Sequence, residues 1–66
     1  MNYFEADNGN GYPVIVYQNN SGDYTIDHYQ PDNQGNVEKS YSEEIDKSEI
    51  YVKMKSITDD WVLKSL

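Results

Sequence analysis

One imidazole, two adjacent carboxylate pairs and one acidic, glycine-rich loop are the main places where this sequence groups residues able to do chemistry. His28 stands between Asp27 and Tyr29. Side chains of consecutive strand residues leave on opposite faces, so neither neighbour can reach the ring along its own strand. That placement predicts a partly buried, hydrogen-bonded histidine rather than a catalyst. Glu43-Glu44 and Asp59-Asp60 diverge for the same reason and make poor acid–base couples. Asp7-Asn8-Gly9-Asn10-Gly11 alternates somewhat like a calcium loop, yet it lacks the acidic ligands and closing Glu of one. Its residue types predict a turn instead. With no cysteine and one histidine, neither a disulfide nor a zinc site is expected. No glycine-rich phosphate loop and no nucleophile with a base at a recognisable spacing is present. The expectation is therefore a protein that is not an enzyme and holds no metal or cofactor.

The elements that position these residues centre on 12–30. Two runs rich in β-branched and aromatic residues, Tyr12 to Gln18 and Tyr24 to Gln30, flank Asn19-Asn20-Ser21-Gly22-Asp23. This predicts a hairpin reversing at Ser21-Gly22. Tyr24, Ile26 and His28 should share one face, and Thr25, Asp27 and Tyr29 the other. Val14 and Val16 oppose Ile15 and Tyr17, and apolar residues on both sides suit a central strand or a dimer contact. Residues 1–6 suit a short edge strand, and Asp32-Asn33-Gln34-Gly35-Asn36 a loop. Segment 37–49 reads two ways. Taken as a helix over 40–49, Ser40 and Glu43 form a capping box, Glu43 and Glu44 lie in the favourable first turn, and Tyr41 and Ile45 share a stripe. Taken as a strand, 37–42 alternates poorly. The capping chemistry favours the helix over 40–49. Ile50, Val52 and Met54 alternate with Tyr51, Lys53 and Lys55, which predicts a strand over 50–57. Trp61 to Leu66 reads as a last strand.

The fold expected is α+β: one domain over 1–66, with a small antiparallel sheet of three to four strands and one short helix. The alternative is an all-β small barrel with 37–42 as a strand. A chain of 66 residues buries only ~60% of its unfolded surface, so a homodimer is expected to add stability. Twelve Asp and Glu against five Lys, with no Arg, give a net charge of −7. Such a surface repels nucleic acid and either maintains solubility or faces a basic partner. Seven tyrosines beside carboxylates suit a protein-binding surface, although tyrosine also fills the core and rim of a small sheet. No apolar run is long enough for a membrane span and no basic leader precedes an apolar core, so a cytoplasmic protein is expected.

Tyr12, Val14, Gln18, Asn19-Asn20-Ser21-Gly22 and Asp27-His28-Tyr29 resemble the small uracil-DNA glycosylase inhibitors made by some Bacillus phages. Glu49-Ile50-Tyr51-Val52-Lys53-Met54-Lys55 is similar to the last strand of that family. The resemblance implies three antiparallel strands, one helix and a homodimer. It also implies an acidic DNA mimic whose carboxylates imitate phosphates and whose apolar cleft captures the side chain that the glycosylase inserts into DNA. Asp27 matches a functional family carboxylate. In the helix the family carries Phe, Glu and Tyr, whereas Tyr41, Glu43, Glu44 and Ile45 stand here in another order. The expected partner-binding residues are Asp27, Tyr29, Tyr41, Glu43, Glu44 and Glu49, with Asp27, Glu43 and Glu44 exposed. Two other functions share the same composition: an anti-defence or host-takeover inhibitor with another target, and a housekeeping interaction domain.

Overall fold

The computed structural model describes residues 1–65. Its elements run β1 (Asn2–Asp7), β2 (Pro13–Gln18), β3 (Tyr24–Pro31), β4 (Val37–Ile45), α1 (Ile50–Ile57) and β5 (Val62–Ser65). The predicted hairpin is its frame. β2 and β3 pair antiparallel, with Val14 opposite His28 and Gln18 opposite Tyr24. The chain reverses where Gly22 donates its N–H to the Asn19 carbonyl at 3.1 Å. Gly22 has φ +93°, a left-handed conformation that glycine adopts at no steric cost. The Asp7–Gly11 segment is also a turn, in which the Asp7 and Asn8 side-chain oxygens accept backbone N–H groups.

All strand neighbours are antiparallel, in the order β4-β3-β2-β1-β5. β2 is thus the middle strand, which accounts for its apolar residues on both faces. One face carries the core: Val14, Val16 and Ile26 are fully buried, and Phe4, Tyr24, Ile45, Ile50, Met54, Ile57 and Trp61 pack against them. α1 covers this face alone. Ile15, Tyr17, Thr25, Asp27 and Tyr29 have the opposite parity and lie on the face without the helix. The α+β class and the single short helix match the sequence reading. The sheet is open, with β4 and β5 at its edges, and is not a barrel.

Two element assignments are corrected. Residues 37–45 form a strand rather than a helix over 40–49, bringing the sheet to five strands. The capping box of Ser40 and Glu43 does not form, because β4 pairs with β3 along its length, from Val37 opposite Pro31 to Ile45 opposite Tyr24. A register irregularity after His28 leaves Ser40 without a partner residue and brings Tyr41 opposite His28. Residues 50–57 form a helix rather than a strand. Ile50, Met54 and Ile57 recur at helical spacing and pack on the core, whereas Val52, assigned inward by alternation, is 70% exposed. The stretch similar to the family's last strand is therefore helical here from Ile50 onward.

Smaller differences concern the termini. β1 is not an edge strand, because β5 pairs along its outer side from Asn2 opposite Ser65 to Glu5 opposite Val62. Trp61 precedes β5 rather than starting it. Its indole Nε1–H donates to the Met54 carbonyl at 3.0 Å, which fastens the end of α1. Leu66, expected in this strand, lies outside the described residues.

Candidate functional site

The ladder distributes the expected binding residues over both faces. Asp27 and Tyr29 lie on the open face, and with Met1, Tyr3, Ile15 and Tyr17 they line a groove of about 450 Å³. Ile15 and Asp27 are directly paired across β2 and β3. Alternation places Tyr17 one step along β2 from Ile15 and Tyr29 one step along β3 from Asp27, so rings stand toward both ends of an aliphatic and acidic floor.

Asp27 differs from expectation in one respect: it is only 7% exposed. It lies on β3 between β2 and β4, and Ser42 of β4 donates its Oγ–H to Oδ1 at 2.6 Å. It still lines the groove, so the carboxylate is recessed rather than removed from contact. Among the described residues, no ammonium or imidazole nitrogen lies within 4.0 Å of it.

Glu44 is on the open face and exposed as expected, although on a strand instead of a helix. Thr25 Oγ1 donates to it at 2.9 Å and Asn19 Nδ2 at 2.8 Å, so both carboxylate oxygens are engaged. Glu5 and Lys64 pair at 3.5 Å on the same face.

Glu43 and Tyr41 face the helix side. Glu43 is not freely exposed. Its Oε2 accepts from His28 Nε2 at 2.6 Å, and its Oε1 lies 3.3 Å from Lys53 Nζ on α1. Burial raises the Glu43 pKa, but the His28 hydrogen bond and the Lys53 charge outweigh it and hold the carboxyl below its ordinary value. Tyr41 is half exposed and stacks on His28, with centroids 4.3 Å apart and planes inclined by 10°. His28 is partly buried and hydrogen-bonded, here to Glu43 on β4, as its sequence context suggested. Glu49, the last expected binding residue, is the N-cap position of α1 and makes no side-chain cap bond.

The structure thus gathers Asp27 and Tyr29 at one site, Tyr41 and Glu43 at another, and leaves Glu44 and Glu49 apart. Tyr3 and Met1 were not anticipated as groove residues. The outward parity of Ile15 and Tyr17 was the signal that existed for them, since it marks an apolar strip on the uncovered face. No helix among the described residues is long and apolar enough to cross a membrane. No protein-family model, curated protein or solved structure matches the chain.

Proposed function

We propose that this protein is a non-enzymatic binding module that occludes the DNA-binding groove of an enzyme by presenting an acidic imitation of DNA. The observation that carries the reading is the uncovered sheet face. Tyr3, Tyr17, Tyr29 and Ile15 offer contact area there beside Asp27, on a chain of net charge −7. Protein-binding surfaces use tyrosine in this way, and carboxylates can take the place of phosphates against the basic residues of a DNA-binding groove.

Uracil-DNA glycosylase is the target named by the resemblance of residues 12–29. The helical conformation of Ile50–Ile57 takes the second stretch out of that argument, so the target rests on the hairpin. The site of action on this reading is the cytoplasm of a phage-infected cell. A homodimer is proposed as the acting form. Among the described residues the largest fully buried side chains are just Val14, Val16 and Ile26, two sheet edges are open, and Tyr51, Val52, Val62 and Leu63 are exposed.

Uracil excision from a labelled oligonucleotide tests the target. Stoichiometric protein should suppress excision, and unchanged excision at large excess would exclude uracil-DNA glycosylase. In that event the same face would serve against another DNA-binding enzyme, identified by capture from bacterial lysate.

A further inference from the structure

Asp27 is a carboxylate recessed in a mostly apolar site, with a hydroxyl as its one side-chain hydrogen-bond donor and no cation within reach among the described residues. Burying a charge is costly unless it is paired. Lys64 and Lys39 do not supply the pair: Lys64 is engaged by Glu5, and Lys39, opposite Tyr29 on β4, makes no ion pair with Asp27. Tyr3, Tyr17 and Tyr29 line the same groove as Asp27, and ring faces attract cations.

We infer that the open-face groove receives an arginine side chain of the partner protein, its guanidinium resting against the tyrosine rings and donating to Asp27. The inference rests on the binding-module reading above and specifies what that module grips. Arginine fits better than lysine on three counts. Its guanidinium is flat enough to stack on a ring, it sheds water more readily, and it presents donors in a fork that matches a carboxylate. A second copy of this chain is a poor occupant. The chain contains no arginine, and a symmetric contact on this face would bring Asp27 and the net charge of −7 against themselves. A DNA-binding groove, by contrast, is lined with arginines that normally meet phosphate.

The test is a titration of the isotope-labelled full chain with a short peptide carrying one arginine between glycines, followed by amide chemical shifts. Matching peptides carry lysine or leucine instead. The arginine peptide should move the amides of Ile15, Asp27 and Tyr29 and bind more tightly than the lysine peptide, with the leucine peptide weakest. Asp27→Asn retains an oxygen for the Ser42 hydroxyl and removes the charge. With its spectrum otherwise preserved, it should bind arginine at least about tenfold more weakly, the loss expected for one charged hydrogen-bonded contact. Tyr29→Leu keeps the apolar bulk without the ring and should weaken binding about threefold, as for one exposed cation–π contact. Equal binding of leucine and arginine, no shifts with arginine, or undiminished binding by a folded Asp27→Asn variant would each overturn the inference. Wild-type protein that blocks excision yet ignores arginine removes this inference alone. Arginine binding without any effect on excision removes only the named target.

Discussion

Glu43 links two elements, because its carboxylate receives His28 from β3 and Lys53 from α1. Its folded pKa lies below the ordinary value of 4.5, so the interaction stabilises the fold above that pH. The contribution is lost as pH falls through 4.5 and on through the lower folded value. Melting temperature should therefore decline on acidification below about pH 5. Glu43→Gln accepts the His28 hydrogen bond without the charge and should flatten part of that decline. Asp46, whose carboxyl the Ser48 hydroxyl and N–H hold below its ordinary range, supplies a further part in the same direction. Identical pH profiles for the variant and wild type would show that the charge on Glu43 contributes nothing to docking. None of this was visible in the sequence, where Glu43 read as a helix-cap residue. Its partners lie fifteen residues before it and ten after, and it takes the β3–β4 register and the packing of α1 on the sheet to make them neighbours.

At the scale of elements, α1 is held by Ile50, Met54 and Ile57 against the sheet and by the indole of Trp61 at its end. Trp61→Phe keeps most of the packing and removes the donor to the Met54 carbonyl, which should cost about 1 kcal/mol. Hydrogen exchange of the amides of 50–57 should accelerate more than that of β2 and β3. Uniform acceleration would mean that the helix opens only with global unfolding. Ile26→Val probes the core below it and should destabilise by about 0.5–1.5 kcal/mol, measured by urea unfolding. The contrast between these elements explains what the sequence made legible. β2 and β3 carry propensity, alternation and turn chemistry that agree, and the hairpin was read within a residue or two. Ile50, Val52, Met54 and Ile57 satisfy alternation and helical spacing in part, and the choice was made by packing that the sequence does not contain. Segment 37–45 had the opposite problem: local capping chemistry favoured a helix, while a ladder of eight residue pairs on β3 favoured a strand and prevailed. The groove was half legible, because Asp27, Tyr29, Ile15 and Tyr17 follow from hairpin parity. Tyr3 enters through the pairing of β1 with β2, a contact between separate segments.

For the whole molecule, charge makes association with a partner and association with itself respond oppositely to salt. A DNA-binding enzyme presents a positive groove, so its attraction to a chain of net charge −7 is screened as ionic strength rises. The dissociation constant should increase between low and physiological salt, and a constant value would argue against electrostatic mimicry even if binding were confirmed. Two copies of this chain repel each other, so screening should favour the homodimer. Sedimentation at micromolar concentration should show a species of about twice the 7.7 kDa mass, in greater proportion at physiological than at low salt. A monomer at both ionic strengths would exclude the dimer in that concentration range. A dimer that dissociates with added salt would mean that ion pairs, such as the exposed Lys55–Asp59 contact rearranged between copies, hold it in place of Val62, Leu63, Tyr51 and Val52. The partner complex and the dimer can be followed in the same salt series, where their opposite slopes separate mimicry of DNA from general stickiness of exposed apolar surface.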